Sequence, residues 1–385
     1  MKIIPLFLAL TTTLGVQSVY SAHMELYTDI SQNIKPTTIK ILITKNKLSP
    51  LLEAKGNYGV YDPTNHLLLA SGTASKREHV TPHNDGIMWG EQFSHIPSIR
   101  IVPQDALSTI LVDGIEYRGC IEMHAVQGEL YIINEVDIER YLKSTLTFSF
   151  SEELDNEVFE AVAIAARTQA HYLLTRDPNA FWHVNAAEVG YEGSALTMQN
   201  LQMEQAINNT RNMILTYKGA AFPAAWTKDS AGKTATFSSI FRKEIKTPHG
   251  VVAPIAAIER DKHIWSFEIT KRECAQVLSL SKITDISLFQ DKESQKVYGM
   301  RLKNGEQARD IDFFALQDAL GKGRLKSNDF TMEVKGEKIT FTGYGEGHGV
   351  GLCLFSATFY ADKGEKAQQI LARFFPNTEL QHITR

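Results

Sequence analysis

Between residues 37 and 135 the chain runs in short apolar or alternating stretches separated by turn residues: TTIKILITK, YGVYDPTNHLLLASG, SIRIVP, STILVDGIEYRGCIEMHAV and ELYIINEV. Alternation at period two buries one face of a strand, so this part reads as β-rich. IERYLKSTLTFSF continues as a strand-like run into an acidic knot of Glu152, Glu153, Asp155 and Glu157. A helix is expected over 155–174. Asp155 or Asn156 can cap it, and Glu157 and Glu160 sit in its first turns, where the helix dipole favours negative charge. Val158, Val162 and Ala165 share a face, and five alanines between 161 and 170 let a neighbouring backbone come close, so the helix should be buried.

Further along, a second helix is expected over 196–212, then strands in MILTYKG and AFPAAWT around a glycine turn. Residues 240–335 are mixed, with SFEITKRECAQVLSLS a strand leading into a helix. The end reads as a strand, KITFTGYGEGHGVGL, then helical SATFYADKGEKAQQILARFF, then the turn PNT. No period of 20–50 residues and no low-complexity linker interrupts the pattern. The fold class expected is α+β, β-rich with inserted helices.

Composition narrows the class. The chain has 385 residues, 43% hydrophobic and 22% charged, as in soluble globular proteins. That length fits two domains or one large one. A net charge of -4 excludes a general nucleic-acid binder, which needs a basic face. Lys2 precedes IIPLFLALTTTLGV, an apolar core too short to span a bilayer, and VQSVYSAH then offers small residues at Ser18, Ser21 and Ala22. Residues 1–22 therefore read as a cleaved export signal. No cysteine follows the apolar core to carry a lipid, and no later segment is long and apolar enough for a membrane helix. Cys120, Cys274 and Cys353 are odd in number with no CxxC pair, so three buried free thiols are expected rather than a disulfide framework.

Several motifs bear on chemistry. GYGEGHGVG places glycine at 343, 345, 347, 349 and 351. In a strand, one face would be bare backbone and the other would carry Tyr344, Glu346, His348, Val350 and Leu352. It is not a dinucleotide fingerprint, because His348 and Val350 stand where GxGxxG needs glycine. SAGKTAT lacks the first P-loop glycine, since Thr227 stands there; TKDSAGKT reads instead as a polar turn offering Lys228, Ser230 and Lys233 to a polar ligand, or as a solvated loop. Arg167 inside the buried helix needs a carboxylate, either as a structural pair with Glu153 or Glu157 or as a group that orients substrate. His183 and Glu188 do not have helical metal-ligand spacing and no cysteine is near, so no metal is expected. No GxSxG is present. No cofactor is implied.

Taken together, these segments resemble the stage II sporulation protein D family of peptidoglycan lytic transglycosylases. EYRGCIEMHAVQGELYIINEVDIERYL is similar to its approach segment, EVFEAVAIAARTQA to its AVAARTYA helix and TYKGAAFPAAWTKDSAGKTAT to its Ser-Gly-Gly-x-Thr turn. GYGEGHGVGL with ADKGEKAQQILARFFPNTEL is similar to its GWGHGVG segment and C-terminal helix. The resemblance covers roughly residues 38–385. It implies one region over 23–385, with a β-rich part at 37–140 and a catalytic, glycan-binding core at 141–385. It also implies a cleft that binds denuded peptidoglycan glycan strands, and cutting between N-acetylmuramic acid and N-acetylglucosamine. An N-acetylmuramoyl-alanine amidase is the protein partner implied, and the periplasm or cell wall the location.

Departures from the family pattern fall on the chemistry. In the ungapped register the family's catalytic Glu falls on Ser149, and its Met-Pro on Phe150 and Ser151. Its Cys-Gln pair falls on Glu188 and Val189, its Trp before GHG on Glu346, its downstream Gln on Leu354, and its middle turn glycine on Ala231. Breaking a glycosidic bond requires a proton on a poor leaving oxygen, which a serine hydroxyl does not supply near neutral pH. A lytic transglycosylase manages with one carboxyl, because the muramic C6 hydroxyl is the nucleophile. Glu152 is the first candidate for that carboxyl, with Phe148 or Phe150 as an apolar wall that would raise its pKa. Glu346 is the second and Glu153 the third; the simpler role for the knot is helix capping. Ser149, Arg167, Lys228, Ser230, Lys233 and His348 are the residues expected to line the saccharide cleft. A glycan binder or amidase enhancer that has lost the acid is the alternative.

Overall fold

The computed structural model describes residues 37–383, except 46, 48, 84, 151–152 and 195–199. The export signal expected over 1–22 lies outside these residues. The alternating N-terminal segments form two antiparallel sheets. In the first, the order is Leu68–Gly72, Tyr58–Tyr61, Ser98–Pro103, Cys120–Val126, Glu129–Asp137 and Thr38–Lys45, with Val184–Asn185 added in parallel at the far edge. In the second, it is Ile115–Tyr117, Thr109–Val112, Leu51–Lys55, Lys76–His83, Gly86–Trp89 and Glu91–Ser94. Ile39, Ile41, Ile99 and Ile101 of the first sheet and Leu52, Val80 and Trp89 of the second are buried in one core. Strands were expected for these stretches of the first sheet except Val184–Asn185, and alternate residues bury at the starts of Thr38–Lys45 and Glu129–Asp137, as period two requires.

The run expected to be strand-like before the acidic knot is instead a helix, Ile138–Ser149. Asp137 caps it by accepting from the Glu139 and Arg140 amides. Ile138, Tyr141, Leu142 and Leu146 are buried at helical spacing. Its β-branched threonines are accommodated by donating to carbonyls one turn back, Thr145 to Tyr141 and Thr147 to Lys143. The alanine-rich helix spans Asn156–Arg176 with Asp155 as its cap, as its start signal predicts. Its residues from Ala161 to Thr168 are all buried. It packs against the helix Leu201–Asn209, the strand Met213–Tyr217 and the C-terminal helices Leu354–Asp362 and Ala367–Phe374. Of the second helix expected over 196–212, residues 196–199 lie outside the described residues, and the helix stops at Asn209. AFPAAWT contributes only the two-residue strand Trp226–Thr227, paired in parallel with Leu352–Cys353.

Residues 264–344 build a second core. Ile264–Thr270, Lys338–Tyr344 and Phe330–Lys335 form one three-stranded sheet, and Asp285–Gln290, Val297–Asn304 and Gln307–Asp312 form another. Trp265, Met300, Phe313 and Phe341 are buried between these strands and the helices Lys271–Val277 and Phe313–Leu320. Thr270 and Glu273 make a reciprocal capping box at the first of these helices, where the sequence switches from strand to helix. All three cysteines are free and buried. No helix among the described residues is long and apolar enough to cross a membrane.

A candidate saccharide cleft

The glycine-rich segment is the centre of the site, and it is not a strand throughout. The strand ends at Tyr344, and Gly345, Gly347, Gly349 and Gly351 all take positive φ. Alternate glycines therefore mark alternate left-handed backbone turns, not a bare strand face. At all four an added Cβ would also meet another atom within 3.0 Å. A Cβ on Gly351 would stand 2.0 Å from the Ala225 carbonyl oxygen, and one on Gly349 would stand 2.3 Å from Lys296 Cε. The loop is stitched to the turn at 225–231: Asp229 and Glu346 exchange backbone hydrogen bonds, Thr227 Oγ1 donates to the Glu346 carbonyl, and the Gly349 amide donates to Thr227 Oγ1. On its other side the Gly347 amide donates to the Lys326 carbonyl, and Asn328 Nδ2 donates to that of His348.

These segments form one wall of a cleft of about 1200 Å³. Trp226, Thr227, Lys228 and Asp229 contribute from the turn, and Gly345, Glu346, Gly347 and His348 from the glycine loop. Phe355, Thr358 and Phe359 contribute from the helix Leu354–Asp362, and Ile255, Ile258 and His263 from 255–263. Phe150 and Leu154 also line it. Phe150 packs its ring near Phe159 and Trp226.

The expected site residues divide. Lys228, Glu346 and His348 meet in the cleft. Lys228 Nζ lies 3.5 Å from Glu346 Oε2, with both side chains about half exposed at 51% and 52%. His348 is half-buried beside the Phe241 and Phe314 rings, and burial first, then the charge of Lys296, pushes its pKa down to about 4. Its Nδ1 accepts from the Val350 amide, so the neutral ring carries its proton on Nε2. His348 is therefore a hydrogen-bond donor and not a charged acid.

Arg167 does not reach the cleft. It is 0% exposed and grips Glu139, not Glu153 or Glu157, through two 2.8 Å bonds. It also donates to the Ile207 and Met213 carbonyls and to Thr210. Its role is to lock three helices. Ser230 is fully buried, with its amide on Cys353 Sγ and its carbonyl accepting from Lys296 Nζ. Lys233 donates to the Glu293 carbonyl, away from the cleft. Ser149 ends the helix Ile138–Ser149, next to Phe150 of the cleft wall, and Glu152 lies outside the described residues. Glu153 is exposed; Asp155 caps the helix, and Glu157 accepts from Lys366 Nζ and the Ala367 amide. His183 accepts from the Lys40 amide and Glu188 from Asn185, both structural contacts.

Sequence reasoning missed a pair in the cleft. Asp229 Oδ2 lies 2.5 Å from His263 Nδ1, while its Oδ1 accepts from the Ala231 amide. Asp229 was inside the quoted polar turn, but His263 lies 34 residues on in a stretch with no motif. It also missed the aromatic wall of Phe355 and Phe359.

The family model described as stage II sporulation protein matches residues 126–217. An uncharacterized protein of Chlamydia muridarum (strain MoPn / Nigg) is 33% identical over 204 residues, covering 52% of this chain and 71% of the relative. Stage II sporulation protein D of Bacillus subtilis (strain 168) is 24% identical, covering 64% of this chain and 75% of the relative. The amidase enhancer of the same organism is 22% identical, covering 74% and 47%.

Proposed function

The chain belongs to the stage II sporulation protein D family, and on that premise we propose that it is an exported lytic transglycosylase that cuts denuded peptidoglycan strands between N-acetylmuramic acid and N-acetylglucosamine. The observation that carries this reading is the cleft itself. At about 1200 Å³ it exceeds the roughly 300–1,000 Å³ of an ordinary small-ligand site. Its walls combine Trp226, Phe355 and Phe359, whose rings suit the apolar faces of sugars, with Lys228, Glu346 and His348 for hydroxyl and amide groups. Glu152 is the acid in this reading, and its described sequence neighbours Phe150 and Leu154 line the cleft. Glu346 is the second candidate, and its exposure beside Lys228 suits saccharide binding better than proton donation.

A second reading is favoured by one specific observation. Serine stands at 149, the position of the family's catalytic Glu, and one relative bears the name amidase enhancer. In that reading the cleft holds glycan for an N-acetylmuramoyl-alanine amidase and cuts nothing. Purified protein and its Glu152→Gln variant, incubated with amidase-treated glycan, separate the two. Anhydromuramic ends from the wild type alone support the transglycosylase with Glu152 as acid. Ends from both move the acid to Glu346 or Glu153. Binding with no ends from either leaves the amidase-enhancer reading.

A further inference from the structure

We propose that Asp229 and His263 form the base that activates the substrate's own nucleophile, so that the muramic C6 hydroxyl completes a three-membered relay with them. This rests on the transglycosylase reading. A carboxylate can only accept, so the 2.5 Å contact makes Nδ1 of His263 the protonated nitrogen and leaves the lone pair on Nε2. Asp229 is nearly buried while the imidazole is 36% exposed, and both line the cleft. A buried carboxylate holding a half-exposed imidazole in one tautomer is the orienting arrangement of hydrolytic triads, in which a serine hydroxyl sits at Nε2. In the described cleft wall no serine takes that place, and the reaction needs none, because the attacking oxygen arrives with the glycan.

The pair is held rigidly from several sides. The Gly345 amide donates to the His263 carbonyl. Arg260, three residues before it, donates to the Ala231 carbonyl and to Asp329 and stacks on Tyr344. The Phe355 ring meets the imidazole edge-on at 4.7 Å. Such fixation keeps a catalytic group in productive geometry.

The step balances within the substrate. The C1–O bond to the leaving N-acetylglucosamine breaks, and that oxygen takes a proton from the carboxylic acid. The C6 oxygen bonds to C1, closing the anhydro ring, and its proton passes to His263 Nε2. The proton then returns through solvent to the acid. No water is added and nothing is oxidised. His263 is the catalytic residue and Asp229 the positioning residue. The other charged groups on the cleft wall are Lys228, Glu259, Lys262, Lys326, Glu346 and Asp362.

The test follows anhydromuramic end formation against pH for wild type, His263→Gln and Asp229→Asn, with glycan binding measured alongside. Both variants should bind within about twofold of wild type and lose about 10²–10⁴ in kcat. The fall in wild-type rate on the acid side should vanish in His263→Gln. A His263→Gln rate within about threefold of wild type, or an acid limb that persists in it, overturns the assignment. A fully active Asp229→Asn overturns the positioning role. If His263→Gln fails to fold, Asp229→Asn and the wild-type profile carry the test, and a wild-type rate that does not fall on the acid side overturns it. No anhydromuramic ends from the wild type at any pH would sink the transglycosylase reading itself, whereas ends that form equally in all three proteins would sink only the relay.

Discussion

Replacing Arg167 by Ala removes one cation and strands several acceptors at once. Glu139 is left buried with no guanidinium on either oxygen, and the Ile207 and Met213 carbonyls lose their donor. Removing one partner of a buried ion pair costs about 3–5 kcal/mol, chiefly through the uncompensated charge that remains. Against a typical stability of about 5–15 kcal/mol this is a large fraction. Urea unfolding followed by tryptophan fluorescence should show a much lower midpoint. Arg167→Lys should fall between, because it keeps the charge and loses the two-pronged fork. The double variant Arg167→Met with Glu139→Leu should recover most of the loss, since an apolar pair leaves no buried charge. Should Arg167→Ala cost less than about 1 kcal/mol while glycan binding collapses, Arg167 is a substrate ligand and not a clamp.

Other expectations follow from the glycine loop and its neighbours. Gly351→Ala combines a left-handed φ with a clash against the Ala225 carbonyl oxygen and should destabilise by more than about 2 kcal/mol in the same unfolding assay. His348 is held at about 4 in the folded protein against an ordinary 6.5, so between those values the unfolded chain binds the extra proton. Stability should therefore fall as pH drops from 6.5 to about 4, and His348→Gln should flatten that slope; an unchanged slope would contradict the burial account. Glu346→Gln should shift stability by no more than about 0.5 kcal/mol, since its pair with Lys228 is exposed, and should weaken glycan binding without abolishing product ends.

Much of the frame is legible in the sequence, because period-two burial and helix caps are local signals. The strands of the first sheet other than Val184–Asn185, and the Asp155 cap, follow from them, whereas Leu51–Lys55, Lys76–His83, Gly86–Trp89 and Glu91–Ser94 are not anticipated. The helix Ile138–Ser149 is misread because the alternation in TLTFSF is local, whereas its helical burial at Ile138, Tyr141, Leu142 and Leu146 begins earlier. The glycine run is misread for a related reason: spacing of two matches a strand, but the backbone uses each of the four glycines after Tyr344 for positive φ. Arg167 plainly needs a carboxylate, yet only tertiary packing decides that Glu139, 28 residues away, is the one. The same holds for Asp229 and His263, and for the arrival of the C-terminal helix with Phe355 and Phe359 at the cleft.

The central claim is that the cleft cuts glycan with the substrate's own hydroxyl. The most direct test digests denuded strands with the purified protein in water enriched in heavy oxygen and weighs the new ends by mass spectrometry. Intramolecular attack predicts anhydromuramic ends that lack one water and carry no heavy oxygen. New ends that carry the label would make the protein a hydrolase, and intact strands that remain bound would make it a binder; either result contradicts the account.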